Sequence, residues 1–565
     1  MNRSKSLAIN SDNKKVSLLP EWLSSYSKAF LKYDLIAGAI TAAVVIPKAM
    51  AYATVAGLPV QIGLYTVLFP MMIYAFFGSS RSLSVSTTTT IAILTATELG
   101  KADPGNPAIM SALATLTLLV GVILLLASLL RLGFIANFIS EPVLIGFKAG
   151  IGLVIIFDQI PKLLGIHIDK GTFIQNLFSI VRSLPETSMA TLATGVIMIL
   201  LLVGLKHYVP KAPAPLIVVA IGIAAMGILH LQNFDIAPVG HIPNGLPDII
   251  LPDFSLVEQM WPGALGIALM SFTETIAAGR AFATVGDPIV NSNKELLATG
   301  LANAGSSIFG AMPSGGGTSQ TSVNRVAGAR TQLASIITAG FVLLTMIILA
   351  PLLSMMPQAT LSAVVIVYSI GLIQPKDFRT ILNIRMTEFI WALAAFIAVV
   401  LLGTLKGIIA AIIVSLIALA YQIADPPLRL LGRKPGTNVF RPQSDEHPED
   451  ETFPGLLILR PEGRVFFVNA ARFGEKIRSL IARFNPSVVI LDFSAVPDVE
   501  YTALKMLVEA EEKLKNEGTS LWLVGLNPEV LNVINRSGLG KTLGREQLHF
   551  NMELAVKKYQ ENTNS

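Results

Sequence analysis

AMPSGGGTSQTSVNRVAGAR, residues 311–330, is the stretch whose reading decides the fold. It lies between two apolar stretches, 295–309 and 331–351, each able to enter a membrane. Pro313 and the glycines Gly315, Gly316 and Gly317 break regular structure. Thr318, Ser319, Gln320, Thr321, Ser322 and Asn324 follow, and a run of this kind cannot face lipid. Irregular backbone at membrane depth survives only where it is buried in protein or lines a wet cavity. The stretch is therefore expected to carry one half of a binding site.

Composition agrees with a membrane setting. The 565-residue chain is 52% hydrophobic and 14% charged, against about 25% charged in a soluble chain. Repeated long apolar runs make it a polytopic α-helical membrane protein. The chain has no cysteine, which excludes disulfides, thiol catalysis and Cys-ligated metals. Its six histidines show no ligand spacing, so neither a metal nor another cofactor is expected. There is no GxxxxGK[ST] motif to support ATP-driven pumping, and the chain does not read as an enzyme. The net charge of +5 sits mostly between apolar runs, which reads as topology rather than nucleic-acid binding.

About fourteen membrane segments are expected over 34–425, after a polar, basic N-terminal segment 1–33 with no signal-peptide pattern. Span 1 is 34–56, span 2 is 59–77, and span 4 is 107–130. Spans 5, 6 and 7 are 137–164, 188–205 and 214–231. Span 8 is 258–282, spans 9 and 10 are the short pair flanking 311–330, and span 11 is 331–351. Spans 12, 13 and 14 are 358–373, 386–403 and 405–424. Loops after even-numbered spans carry the basic residues, Arg81, Arg131, Lys206, Lys211, Lys376 and Arg385 among them. The loop between spans 7 and 8 carries Asp235, Asp248 and Asp253 instead. This bias places both termini in the cytoplasm and the chain in a cell membrane, of bacterial inner-membrane type.

Span 3 is the second broken segment. GSSRSLSVSTTTTIAILTATELG, residues 78–100, is polar and alternating up to Ser86, then carries Thr87–Thr90 and an apolar run too short to cross alone. Spans 3 and 10 are seven apart, the pattern of a seven-plus-seven inverted repeat with broken helices at matching positions. Two half-helices would then present their N-termini to each other near the bilayer centre. Each offers about half a positive charge and several unpaired N–H groups, an anion site without a metal. Ser84, Ser86, Thr87, Thr88, Thr318, Ser319 and Thr321 would replace part of the anion's water, with Gly316, Gly317 and Gln320 beside them. The alternative is that these small residues only permit close helix packing.

Two charges lie deep in apolar runs. Lys48, in VVIPKAMAYA, is about fourteen residues into span 1, next to Pro47. Its alternative role is to snorkel to an interface. Glu274, in MSFTETIAAG, is mid-span in span 8. It could pair with Lys48, take up a proton during transport, coordinate a cation, or serve as a buried brace. Lys148 and Asp158 of span 5 are read as interfacial or structural.

Composition changes at about 425. Residues 426–452 are polar, charged and Pro-rich and read as a linker. Over 453–560, strands GLLILRPEG, VFFVNA, SVVILDFSAV and SLWLVGL alternate with helices ARFGEKIRSLIARF, ALKMLVEAEEKLKNEG and PEVLNVINRSG. That is a small α/β domain. Thr502, between a strand and a helix, reads as an N-cap or as a phosphorylated, regulatory hydroxyl.

IPKAMAYATVAGLPVQIGLYT, NKELLATGLANAGSSIFGAMPSGGGTSQTSVNRVAGARTQLASIITA and PGLLILRPEGRVFFVNAARFGEKI, with VVILDFSAVPDVEYTAL, resemble the sulfate permease (SulP) family of anion transporters. The resemblance runs from about residue 30 to 555. It implies a core of spans 1–4 and 8–11, a gate of spans 5–7 and 12–14, a cytoplasmic STAS domain and a homodimer. It also implies substrate between half-helices 3 and 10, elevator-like alternating access, and cation or proton coupling at Glu274. Many members carry Gln where this chain has Lys48, and Arg where it has Gln320. The fixed cation of the site is therefore expected to have moved from half-helix 10 to span 1. Where related STAS domains often have two adjacent hydroxyls, this one has Tyr501-Thr502.

The expected function is secondary transport of a small anion (sulfate, bicarbonate or a carboxylate) coupled to H⁺ or Na⁺. Alternatives are an uncoupled channel or exchanger, a nucleobase permease of the same architecture, and a non-transporting sensor signalling through the STAS domain.

Overall fold

The computed structural model describes residues 20–564 apart from 25, 101–107, 139, 169–172, 211, 230, 235, 241, 244 and 285. The expected N-terminal segment up to residue 19, Lys211 and Asp235 lie outside the described residues. The chain divides into two compact units, with the division at Ser415 and Leu416 inside the last span.

In the first unit the apolar runs are helices close to their expected bounds. Spans 1 and 2 are Leu31–Val55 and Val60–Phe77, and spans 4 and 5 are Ala108–Leu129 and Glu141–Leu164. Spans 6, 7 and 8 are Met189–Tyr208, Ala214–Ile228 and Val257–Ala281. Span 9 is Ser292–Ser307, and span 11 runs from Leu333 to Ser354 through a π-helical turn at Thr345–Leu349. Spans 12, 13 and 14 are Gln358–Ile370, Met386–Leu402 and Thr404–Ala424. Seven helices are long and apolar enough to cross a bilayer unaided, among the described residues. Leu126, Leu200, Ile347 and Leu352 are exposed on them, as lipid-facing side chains must be. Between helices the contacts are close. A Cβ on Gly146 of span 5 would fall on the Ala392 carbonyl of span 13, the small-residue packing that membranes favour because lipid offers helices no hydrophobic drive to associate.

Two amphipathic helices were not anticipated, Phe173–Ser183 and Pro375–Ile384. Phe178 and Ile384 on them are exposed. Their apolar positions recur at helical spacing but in runs too short to span, the pattern of helices that lie along a membrane surface.

Spans 3 and 10 are broken as the glycines and hydroxyls require. Span 3 is a strand, β1 (Val85–Ser86), followed by a half-helix, Thr89–Leu99. Span 10 is β2 (Gly315–Gly316) followed by the half-helix Thr318–Val326. The strands pair antiparallel, Val85 with Gly316 and Ser86 with Gly315. That pairing satisfies backbone that lipid could not, and it brings the two helix N-termini together from opposite directions.

Buried carboxylates hold the segments that lead into and out of these breaks. Glu295, at the start of span 9, accepts from Tyr74 Oη (2.8 Å), Ser79 N (2.9 Å) and Ser79 Oγ (2.6 Å). Asp34, at the start of span 1, accepts from Arg330 N (2.7 Å), Thr331 N (3.1 Å) and Thr331 Oγ1 (2.6 Å). Each carboxylate ties its own half of the chain to the other half. Glu295→Ala is expected to destabilise by about 3 kcal/mol, because three buried donors lose their acceptor. Thermal unfolding of the purified protein reads this; an unchanged Tm would show that the contact carries no stability.

The second unit is a six-stranded sheet in the order β4-β3-β5-β6-β7-β8. The strands are β3 (Leu428–Arg433), β4 (Phe440–Pro442), β5 (Leu456–Pro461), β6 (Val488–Asp492), β7 (Ser520–Val524) and β8 (Leu548–His549). β5 to β8 run parallel, whereas β3 pairs antiparallel with β5 and with β4. The helices are α1 (Ala470–Phe484), α2 (Tyr501–Asn516), α3 (Pro528–Asn535), α4 (Gly538–Leu543) and α5 (Met552–Asn564). Alternate residues of β6 face different layers, Val489 and Leu491 toward α1 and α2, Val488 and Ile490 toward α5.

Two expectations are corrected here. The stretch 426–452 is not a bare linker, since it contains β3 and β4. Its polar composition is satisfied internally, by Arg433 on Glu451 (Nε to Oε2, 2.7 Å) and Arg441 on Asp450 (Nη2 to Oδ1, 2.8 Å). The hydrogen bond from Arg441, with its charge, holds the Asp450 carboxyl below the usual carboxylate range. VFFVNA is not a strand. It makes one bridge, Val465 to Val499, and then turns into α1.

Candidate functional site

A cavity of about 610 Å³ opens onto both half-helix N-termini. Its inner lining includes Lys48, Thr87, Thr88, Glu274, Ser319 and Gln320. Outward it runs to Pro210, Phe282 and Gln374, beyond the ends of spans 6, 8 and 12.

Thr88 caps half-helix 3, its hydroxyl accepting from Ile91 N at 3.2 Å. The same hydroxyl donates to Glu274 Oε2 at 2.7 Å. Among the described residues no hydrogen bond engages the N–H groups of Thr89 and Thr90, or of Ser319 and Gln320 on half-helix 10. These are the donors a helix start leaves unpaired, and here they belong to two helices facing one space. Thr87 Oγ1 is fully buried and also lacks a partner. A buried hydroxyl without a partner costs free energy unless something else occupies the space beside it.

Lys48 is 2% exposed, and its Nζ donates to Ser319 Oγ at 3.1 Å. It stands over the Tyr368 ring, 4.1 Å from the centroid. No carboxylate forms an ion pair with it among the described residues. The expected alternative of a Lys48–Glu274 pair is therefore not what forms; Glu274 is held by Thr88 instead. Nor does Lys48 snorkel, because Ser319 and Tyr368 close over it. Half-helix N-termini and a buried ammonium are groups that favour negative charge, and a carboxylate stands beside them on the cap of half-helix 3.

The sequence-expected residues divide into two groups. Lys48, Thr87, Thr88, Gly317, Thr318, Ser319, Gln320 and Glu274 line the cavity. Ser84, Ser86 and Gly316 stand behind it as scaffold. Ser84 N donates to Thr321 Oγ1 at 3.1 Å, and the Ser84 carbonyl accepts from Gly317 N at 3.1 Å. Ser86 Oγ accepts from Gln320 Nε2 at 2.7 Å. Gly316 N donates to Thr275 Oγ1 at 2.8 Å. Thr502 is exposed, one residue into α2. The cap position there is Glu500, so the N-cap reading of Thr502 is corrected.

Gly316 is held to its size by span 8. A Cβ there would lie 2.7 Å from Thr275 Cα and 2.9 Å from Leu83 Cδ1. Gly316→Ala is expected to push β2 off span 8, costing about 1–3 kcal/mol of stability and a comparable loss of site geometry. Thermal unfolding and anion binding, measured together, check this; unchanged values in both would show that the sheet tolerates the methyl.

The lining also includes polar residues not anticipated as site residues, Tyr52, Tyr368, Lys148 and Lys206 among them. Lys206 read as a loop cation and Lys148 as interfacial, since each lies on an apolar helix whose inward face no local pattern marks. Asp158, read with Lys148, is structural and accepts from Asn176 Nδ2 at 3.4 Å.

The family model described as the sulfate permease family matches residues 31–395, and the STAS domain model matches 447–556. A probable sulfate transporter of Mycobacterium tuberculosis is 33% identical over 540 residues, covering 94% of this chain and 96% of that protein. The chloroplastic sulfate transporter 4.1 of Arabidopsis thaliana is 29% identical over 562 residues, covering 95% and 81%. Among solved structures, the murine anion transporter Slc26a9 in its inward-facing state superposes with TM-score 0.89 at 24% identity, covering 99% and 96%. The transmembrane domain of a cyanobacterial bicarbonate transporter, BicA, superposes with TM-score 0.61 at 24% identity, covering 68% of this chain and 98% of that one.

Proposed function

The chain belongs to the sulfate permease family, and we propose that it is a secondary transporter of a small oxyanion or carboxylate, sulfate foremost. The observation that carries this reading is one cavity lined by two half-helix N-termini, the buried Lys48 ammonium and the unpartnered Thr87 hydroxyl. The anion lies between the N-termini of half-helices 3 and 10, with Lys48 supplying the fixed charge and Glu274 the coupling site for H⁺ or Na⁺. The loop charges support cytoplasmic termini, and in that orientation the cavity opens inward. Spans 1–4 and 8–11 carry the site past spans 5–7 and 12–14. Lys48 on span 1 touches Tyr368 on span 12, a contact that such a movement breaks and remakes.

A nucleobase permease fits less well, since a nucleobase site offers a pairing carboxylate and amide rather than a buried ammonium. Reconstitution into proteoliposomes tests the reading, with labelled sulfate, bicarbonate and fumarate and with or without pH and Na⁺ gradients. Saturable uptake raised by one gradient is the expected result. Large currents indifferent to both gradients would mean a channel. Anion binding without flux would mean a sensor.

A further inference from the structure

Two ammonium groups share the Tyr368 ring. Lys48 Nζ lies 4.1 Å from its centroid and Lys206 Nζ 5.4 Å. The ring's negative face attracts each, but the two cations repel one another through the same small space. Neither forms an ion pair with a carboxylate among the described residues. The cavity lining as a whole holds three lysines (Lys48, Lys148 and Lys206) and one carboxylate, Glu274, which Thr88 already engages. Lys206 sits in the last turn of span 6 and is exposed. A lysine there would ordinarily extend along the helix to the interface. This one turns over the ring and into the cavity instead.

We propose that Lys206, seated on Tyr368, forms a second anion station at the mouth of the cavity, adjacent to Lys48 and distinct from the half-helix site. This rests on the transport reading above. An anion at the mouth neutralises the repulsion between the two lysines, and it passes from Lys48 to Lys206 on its way to the cytoplasm or back. The half-helix site touches Lys48 but not Lys206, so the station acts from one face only. It raises the affinity for anion arriving from the cytoplasmic side and leaves affinity from the other side to the half-helices and Lys48.

Labelled sulfate flux in inside-out and right-side-out membrane vesicles, from a host without its own sulfate uptake, tests this. Lys206→Gln is expected to raise the apparent KM about fivefold in inside-out vesicles and to leave it unchanged in right-side-out vesicles. Lys206→Arg should restore the wild-type value, as should Tyr368→Phe, which keeps the ring. Equal shifts in both orientations, or none in either, overturn the station. If wild-type vesicles carry no sulfate in either orientation, the transport reading itself has failed, and that is a different result.

Discussion

Replacing Lys48 by glutamine is expected to lower anion uptake about 100-fold or more, because one partner of a desolvated charge interaction is removed. Lys48 is 2% exposed and donates to Ser319 beside the start of half-helix 10. The amide of glutamine would keep a hydrogen bond but supply no charge. Helix N-termini contribute only partial charge, about half a unit each, and cannot replace a full ammonium. The companion variant is the stronger test. Gln320 lies on half-helix 10, lines the same cavity and reaches Ser86 at 2.7 Å. Arginine at that position would bring a cation back to the site from the other side. Lys48→Gln with Gln320→Arg is expected to recover much of the lost uptake, and Gln320→Arg alone to place two cations in one site. Normal uptake by Lys48→Gln alone would sink the idea that Lys48 carries the charge.

Glu274→Gln should separate anion movement from its driving force. Glu274 accepts from Thr88 at 2.7 Å, and Thr88 caps the helix that faces the proposed anion site. A change in the charge or ligation of this carboxylate thus reaches the proposed anion site through hydroxyls of half-helix 3 itself. Glutamine is nearly the same size and can still meet Thr88, but it neither gains a proton nor holds a cation. Gradient-driven accumulation of sulfate is expected to fall at least about tenfold, while exchange of internal for external sulfate persists. Accumulation that still follows the same gradient would remove Glu274 from coupling and leave it as a brace.

Some of this site was legible in the chain itself. The glycines at 315–317 and the hydroxyls of Thr87–Thr90 cannot meet lipid, so their segments had to be broken and buried. Lys48 and Glu274 announced themselves for the same reason, as charges with no water nearby. Other residues gave no such signal. Tyr368 is an ordinary residue near the end of an apolar helix, and Lys206 an ordinary cation at a helix end. Ser84, Ser86 and Gly316 looked like binding groups, yet their hydrogen bonds go to Thr321, Gln320 and Thr275. The polar stretch after residue 425 looked unstructured because its charges are paired across a hairpin rather than along one helix face.

The apolar helices, the two breaks and the α/β unit that follows were legible in the sequence. Each of these depends on what one stretch can do in lipid or water, a local property of its side chains and backbone. Tertiary structure alone decided which polar groups reach the cavity. It paired β1 with β2 from opposite halves of the chain, turned Glu274 to Thr88 rather than to Lys48, and set two lysines on one ring. Those outcomes depend on how distant helices rotate and pack against each other, and no local pattern records that.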